Sequence, residues 1–165
     1  MLKTILNKMI IKAHAVRSVA NDPLNKYKFR VTIPGLATGI GFQKVSGLKR
    51  EMGILEYSEG GYASVRKMKG KEKVEPIVLE RGMFSTKELQ QMYVDSLSSA
   101  TSRTTITIEL LDKQDATART WILGEAWVKS WEGSDLDAMS EDVAVEKIII
   151  EAEYYIDWWI IKKVI

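Results

Sequence analysis

The sequence TTITIELL, residues 104–111, alternates apolar and polar side chains along its length. Ile106 and Ile108 alternate with Thr107 and Glu109, so the two kinds of side chain fall on opposite faces of an extended backbone. Period-two alternation is typical of a β-strand that buries one face and exposes the other. The stretch therefore predicts a half-buried strand, and the neighbouring segments are interpreted around it.

A second alternating stretch follows in residues 141–155. Ile148, Ile150 and Tyr154 are predicted to share the buried side of this strand. Residues 121–131, between the two stretches, are rich in aromatic side chains and form a further strand candidate. A region built in this way is typical of a protein that presents contact surfaces rather than a catalytic centre.

The connection from residue 132 to residue 146 is acidic and contains no Lys or Arg. Calcium binding is one interpretation, but Met139 and Ser140 stand where an EF-hand loop needs a ligand and a glycine. We expect instead a turn that meets basic groups across a subunit boundary. The predicted inter-subunit acidic turn comprises Glu132, Asp135, Asp137, Glu141 and Asp142.

The remaining segments predict a mainly β fold with one helix. Strand candidates cover residues 27–33, 42–47, 51–57 and 74–81, and Pro76 favours an edge position for the last of these. The helix is predicted over residues 86–97, where Ser85 and Glu88 can form a capping box and Leu97 belongs to the buried stripe. One helix cannot cover both faces of several strands, so we expect an antiparallel β-sandwich or small barrel.

Residues 58–73 are predicted to form one loop of unusual length for a hairpin. It is basic from residue 60 onward, but Val65 and Glu72 occupy positions where a phosphate-binding loop needs Gly and Ser or Thr. A nucleic-acid contact and a plain solvated loop remain alternatives, and a contact arm is the favoured interpretation. Its predicted contact residues are Glu59, Gly60, Gly61, Tyr62, Arg66, Lys67, Lys69 and Lys71.

The two ends differ in character from the middle, residues 21–155, which we predict to be a single β domain. Residues 1–20 are basic and apolar at helical spacing, which predicts an amphipathic arm, with a membrane-surface helix as the alternative. Residues 156–165 are strongly apolar, which predicts either an interface or one more strand of the core.

The overall composition is that of an ordinary folded domain. The chain has 165 residues, a formal charge of +2, no Cys and one His, His14. These numbers exclude a disulfide framework and the usual zinc sites, and they argue against a strongly basic nucleic-acid-binding protein. No apolar run has the roughly 20 residues that a membrane-spanning helix needs. We therefore expect no enzyme activity, no catalytic, cofactor or metal site, and no membrane partner.

Several segments between residues 22 and 155 resemble, in the right order, the tail tube proteins of contractile phages and related injection systems. They are DPLNKYKF (22–29), GFQKVSGL (41–48), EYSEGG (56–61), VRKMKG (65–70), LERG (79–82), WVKSWEGSDLDA (127–138) and VAVE (143–146). The resemblance implies a tail-tube-type sandwich or barrel and a structural subunit that forms homohexameric rings. Such rings stack into a hollow tube inside a contractile sheath, with baseplate and tape-measure proteins as further partners.

The resemblance also implies roles for particular residues. Residues 58–73 would be the stacking arm that reaches the next ring, and the lumen would pass DNA or effector protein without binding it specifically. Candidate lumen-facing residues are Glu51, Glu80, Thr107 and Glu109. The expected location is a virion tail or an injection-system particle, assembled from protein made in the bacterial cytoplasm. The alternative is a secreted ring-forming tube or carrier protein of a type VI or extracellular injection system.

Overall fold

The computed structural model describes residues 23–36, 41–61, 64–98 and 103–157. The predicted arm, residues 1–20, lies outside these ranges, as do residues 158–165 of the predicted apolar extension. The described residues form nine strands and one helix in the order β1 (Phe29–Thr32), β2 (Lys44–Ser46), β3 (Arg50–Tyr57), β4 (Arg66–Val74), β5 (Ile77–Gly82), α1 (Glu88–Ser98), β6 (Thr104–Leu111), β7 (Thr117–Glu132), β8 (Val145–Glu151) and β9 (Tyr154–Asp157).

Seven strands form one antiparallel sheet in the order β1-β6-β7-β8-β5-β2, with β9 also paired to β7. The long strand β7 joins two halves of this sheet. Its first part pairs with β6 and β9, and its last part pairs with β8. Between them Glu125 has a φ of 50°, a left-handed conformation typical of a bulge that bends a strand. The predicted class, mainly antiparallel β with one helix, is confirmed.

The core consists mainly of alternate side chains of this sheet. Leu79, Leu123, Ile148 and Ile150 are completely buried, and Ile106 and Ile108 are nearly so, as their alternation predicts. The helix α1 packs on β7 and contributes Leu89, which is also completely buried. A stable domain follows from this burial, because each fully buried aliphatic side chain contributes about 1.5–3 kcal/mol.

One charged side chain lies inside this core. Arg81 of β5 is 1% exposed, and its Nε donates to the buried Glu146 carboxylate of β8 at 2.8 Å. Its Nη1 donates to Glu88 at the start of α1 at 3.2 Å, and its guanidinium stacks on the Phe84 ring. Trp131 Nε1 donates to the second oxygen of Glu146 at 3.0 Å. The network joins three strands to the helix at one end of the sheet.

The helix begins at Glu88, two residues later than predicted. The Glu88 carboxylate contacts Arg81. The prediction that Leu97 is buried is wrong, because its side chain is 68% exposed. The edge position inferred from Pro76 is also wrong. Strand β5 begins one residue after Pro76 and lies between β8 and β2.

The predicted strand over residues 141–155 is shorter and is interrupted. Strand β8 ends at Glu151, and β9 begins at Tyr154. The interruption shifts the alternation by one residue, so that Tyr155 is buried and Tyr154 is 46% exposed. The prediction that Tyr154 faces the core is therefore wrong. Strand β9 continues to Asp157, two residues beyond the predicted end of the domain at residue 155.

Candidate functional site

Residues 58–73 do not form the single long loop predicted from sequence. Strand β4 begins at Arg66 and pairs with β3 along its length, so these two strands form a separate hairpin sheet. The connection between them shortens to residues 58–65. Sequence reasoning missed β4 because its residues are mostly charged and lack the alternation of a half-buried strand.

Two glycines allow the hairpin strands to approach closely where their register shifts. The shift lies between Met52 and Ile54, at Gly53. A Cβ placed on Gly70 would lie 2.9 Å from the backbone carbonyl of Gly53, closer than real Cβ contacts. The bulge changes which side chains share a face, because it adds one residue to β4 only, where Gly70 and Lys71 lie opposite Gly53.

One face of the hairpin carries exposed apolar side chains. The register places Leu55 opposite Met68 and Tyr57 opposite Arg66 on this face, whereas Met52 and Ile54 lie on the other face. The side chains of Leu55, Tyr57 and Met68 are 57%, 48% and 51% exposed. A two-stranded sheet is at best marginally stable alone in water, and a contiguous exposed apolar face usually marks an interface.

The bulge divides the lysines of β4 between the two faces of the hairpin. Lys67 and Lys69 pair with Glu56 and Ile54 and share their face, whereas Lys73 pairs with Glu51 on the same face as Leu55. Lys67 lies 3.9 Å from Glu56. Among the described residues, Lys69 and Lys71 contact no carboxylate.

Ion pairs stabilise the base of the hairpin, and one of their cations contacts the main sheet. Arg50 Nε donates to Glu72 at 2.5 Å, and its guanidinium stacks on the ring of Tyr155 in β9 at 5.5 Å. This hydrogen bond lowers the pKa of Glu72 below its ordinary value. Lys49 likewise donates to Glu51 at 3.0 Å and lowers the pKa of that carboxyl. The base is therefore ordered, whereas the outer part of the hairpin contacts solvent.

The predicted acidic turn is a long exposed connection between β7 and β8, residues 133–144. Its backbone is held by Asp137, whose carboxylate accepts from the Met139 N–H at 2.9 Å. Leu136, Met139 and Val143 are 88%, 90% and 78% exposed. We call residues 132–144 the acidic loop. None of its five predicted contact carboxylates forms an ion pair with a described residue.

The acidic loop and the hairpin project from opposite ends of the same sheet half. In β5, two residues separate Ile77 from the end of the hairpin at Val74, whereas Gly82 pairs with Val145, the first residue after the acidic loop. The Met83 N–H also donates to the Ala144 carbonyl at 2.8 Å, which ties the loop to the Gly82 end. A six-residue strand such as β5 is about 17 Å long, so the two surfaces are well separated within one chain.

The candidate lumen-facing residues do not lie in one sheet. Glu51 belongs to the hairpin, whereas Glu80 lies on β5, and Thr107 and Glu109 lie on β6. Glu80 and Glu109 are on the outer face of the main sheet and are paired with Lys44 at 3.0 Å and Arg30 at 3.5 Å. Of the predicted arm residues, Tyr62 lies outside the described ranges, and the others fall in β4 or in the connection that precedes it.

The described residues contain no group of three or more His, Asp or Glu side chains arranged to hold a metal ion. They include no helix with the length and apolar content that crossing a membrane requires.

An apolar groove of about 620 Å³ lies between the edge strands β1 and β2. Its apolar lining includes Phe29, Phe42, Val45, Leu48, Leu110 and Trp121.

Comparison with solved structures finds the same fold in an extracellular contractile injection system and in two further proteins. A chain of the PVC sheath–tube complex, an extracellular contractile injection system, is 28% identical with a TM-score of 0.73, covering 84% of this chain and 93% of that one. A chain of the anti-feeding prophage baseplate is 24% identical with a TM-score of 0.71, covering 82% and 95%. Hcp1 of Flavobacterium johnsoniae is 17% identical with a TM-score of 0.50, covering 79% and 94%.

No curated protein matches the sequence. The sequence model of one family, described as T4-like virus tail tube protein gp19, matches residues 25–156. This range includes the main sheet, the hairpin and the acidic loop, which together make up the described structure. The chain therefore belongs to the T4-like virus tail tube protein family and is a structural tube subunit of a contractile phage-like system.

Proposed function

We propose that copies of this chain form homohexameric rings that stack into a hollow tube. A contact between two different surfaces of identical subunits forms a closed ring when the successive rotations return to the first subunit. When they do not, the subunits continue along an axis. Strands β1 and β2 each have one unpaired edge among the described residues, and the apolar groove lies between them. Pairing with neighbouring copies would cover these edges, which otherwise favour aggregation.

The observation that carries the proposal is the exposed apolar face of the hairpin. Leu55 and Met68 are each more than half exposed on this face, and the two-stranded sheet that carries them is separate from the main sheet. Burying them stabilises association by about 25 cal/mol for each Å² removed from water. The hairpin is therefore the arm that packs on a neighbouring subunit, and the acidic loop lies at another subunit boundary.

In this function the chain provides contact surfaces for assembly and catalyses no reaction. The proposed partners are other copies of itself, a contractile sheath, a baseplate and a tape-measure protein, within a virion tail or injection-system particle. The solved relatives from PVC and the anti-feeding prophage come from sheath–tube and baseplate complexes, which supports the sheath and baseplate contacts. The subunit is made in the bacterial cytoplasm before assembly, and it carries no enzyme activity.

The charge pattern on the outer face of the sheet supports the proposal that the lumen does not bind its cargo. One row across four strands alternates in charge, in the order Lys44, Glu80, Lys147, Glu132. Each carboxylate lies next to a lysine of the neighbouring strand, so the row has no net charge. Unpaired cations in a channel bind DNA, because each contact with a phosphate adds salt-dependent affinity. We propose that a neutral or net-negative face of this kind lines the channel.

Electron microscopy of the purified protein tests the proposal directly. The wild-type chain is expected to form hollow filaments of uniform width. A Leu55→Asp variant places a charge in the apolar face of the hairpin and is expected to abolish filaments, whereas the matched Leu55→Met variant retains them. Circular dichroism and thermal unfolding of both variants are expected to match the wild type, because Leu55 lies outside the core.

Three outcomes contradict parts of the proposal. Wild-type protein that stops at discrete rings under all assembly conditions would indicate a carrier ring instead of a tube. Filaments of normal length from a chain in which residues 55–68 are replaced by Asn-Gly would show that the hairpin is not the assembly arm. A filament structure with rows of unpaired Lys or Arg facing the channel would contradict the neutral lumen.

The absence of a metal role is tested at the acidic loop. An Asp135→Asn/Asp137→Asn variant is expected to alter assembly at most, because these carboxylates are proposed to contact protein. Calorimetry with calcium is expected to show no stoichiometric binding to wild-type protein. Stoichiometric binding that the double variant removes would contradict this assignment.

A further inference from the structure

Strand β9 covers only part of the edge of β7 with which it pairs. Its register runs from Tyr154 opposite Gly124 to Asp157 opposite Trp121. Strand β7 extends farther, to Thr117, and on its other edge it pairs with β6 as far as that residue. Among the described residues, positions 117–120 therefore have no partner strand on the β9 side. An open strand edge presents backbone N–H and C=O groups to which a further strand can pair.

The same end of β7 borders the apolar groove. Trp121, the residue of β7 at which β9 ends, packs on the core and lines this groove. The next position of β7 on that face is Arg119, which lies opposite Leu110 of β6, and Leu110 lies opposite Phe29 of β1. Leu110 and Phe29 both line the groove. A side chain beside Arg119 on the open edge would therefore extend this row and cover the groove at the side of β7.

Residues 158–161, which lie outside the described ranges, have the length and composition that the open edge requires. They follow Asp157 directly and read Trp-Trp-Ile-Ile, residue types that favour strands. Their number matches the open positions 117–120 of β7, and Lys162 and Lys163 come where the edge ends. The segment can therefore complete the edge with no change in the position of β9.

The register of β9 also decides which side chains would face the groove. Continued by two residues, it sets Trp158 opposite Thr120 and Trp159 opposite Arg119. Alternation then places Trp159 on the face of Tyr155, which is buried, and Trp158 on the outer face. The Trp159 ring would meet the apolar groove, and the Arg119 guanidinium beside it can stack on an aromatic face.

We infer that residues 158–161 continue β9 along β7 of the same chain, and that Trp159 covers the apolar groove at the side of β7. The same chain is favoured over a second copy because Asp157 already lies opposite Trp121, a residue of the groove wall. A linked segment also avoids the loss of translational freedom that association with a second molecule costs. The inference concerns one subunit and does not rest on the proposed tube function. It leaves the outer edges of β1 and β2 open for neighbouring copies.

A disulfide test is possible because the chain contains no Cys. Directly opposed residues of antiparallel strands have Cα atoms about 4.5–5.5 Å apart, a separation that a disulfide spans. Thr120→Cys/Trp158→Cys is therefore expected to form an intramolecular disulfide on mild oxidation of dilute protein. Mass spectrometry of the linked peptides measures the yield after a fixed time.

The matched control is Thr120→Cys/Ile160→Cys. It places both thiols on one face but two residues out of register, where Cα atoms are about 7–8 Å apart. Its yield of intramolecular disulfide is expected to be at least about fivefold lower, because such a separation is too long for the bond. Circular dichroism of both reduced variants is expected to match the wild type.

A second measurement tests which tryptophan faces the groove. Trp159→Asp is expected to lower the unfolding temperature by at least about 4 °C, because it places a charge against apolar side chains. The matched Trp158→Asp makes the same change on the outer face and is expected to lower it by less than about 2 °C. A dye that fluoresces on apolar surfaces is expected to give at least about twofold more signal with Trp159→Asp than with Trp158→Asp.

Three results would overturn the inference. Disulfides that link two copies of Thr120→Cys/Trp158→Cys, in place of residues within one chain, would assign the segment to a neighbouring subunit. Equal intramolecular yields from this variant and its control would show that residues 158–161 do not continue the register of β9. Equal losses of unfolding temperature in Trp158→Asp and Trp159→Asp would show that Trp159 does not cover the groove.

Discussion

Removal of Glu146 is the most informative test of how the core holds the acidic loop in place. Glu146 lies two residues beyond the loop, is 3% exposed, and accepts hydrogen bonds from Arg81 at 2.8 Å and from Trp131 at 3.0 Å. A Glu146→Ala variant leaves the Arg81 guanidinium buried with Glu88 as its remaining carboxylate partner. Breaking one partner of a buried ion pair costs about 3–5 kcal/mol.

The expected loss is large enough to measure in two ways. For a chain of this size, each kcal/mol lowers the unfolding temperature by about 2–4 °C, so the variant is expected to unfold about 6–20 °C below wild type. Urea unfolding followed by tryptophan fluorescence gives the free energy directly, at a protein concentration below that of assembly. The matched control is Glu151→Ala on the same strand, whose carboxylate pairs with Lys129 at the surface. Its expected cost is about 0–1 kcal/mol.

A double variant separates the buried charge from simple loss of packing. Arg81→Met/Glu146→Leu removes both charges and keeps similar volume, so it is expected to be closer to wild type than Glu146→Ala is. The reasoning would be refuted if Glu146→Ala and Glu151→Ala had the same stability within error. It would also be refuted if the double variant were less stable than the single one.

Three further predictions concern the core, one turn and the base of the hairpin. Ile148→Ala is expected to cost about 2–5 kcal/mol in urea unfolding, because this side chain is completely buried and leaves a cavity. Gly47→Ala is expected to lower the unfolding temperature, since Gly47 has a φ of +87° and an added Cβ would lie 2.0 Å from the Pro76 carbonyl oxygen; an unchanged temperature would contradict this. The ion pair of Glu72 with Arg50 lowers the pKa of Glu72 in the folded chain. Its contribution to stability is therefore complete above pH 4.5, the ordinary value, and is lost as the pH falls through the lower folded pKa. An NMR titration of the Glu72 carboxyl that moves to the ordinary value in Arg50→Ala would support this, and a titration that does not move would contradict it.

The sequence alone was sufficient to predict the strands that bury one face. The alternation of residues 104–111 places Ile106 and Ile108 in the core, as observed, because side chains of a strand point to opposite faces at every step. The family was also predictable, since several of its motifs occur in order between residues 22 and 155. Both inferences depend on local patterns, which the sequence records directly.

Other features depend on partners that are distant in sequence. Strand β4 is a strand because it pairs with β3, and its charged residues show no burial pattern. The Arg81–Glu146 pair joins residues 65 positions apart, so neither residue is recognisable as buried from its own neighbours. Tyr155 is buried instead of Tyr154, because an interruption between β8 and β9 shifts the alternation by one residue.

The candidate assembly surfaces combine both kinds of information. The charges of the acidic loop and of residues 66–73 were visible in the sequence, whereas their distribution between the two faces of the hairpin was not. That distribution follows from the pairing register and from the bulge in β4 opposite Gly53, which adds one residue to one strand only. Register is a property of two segments together, and for this reason only the tertiary structure decides which side chains share a face.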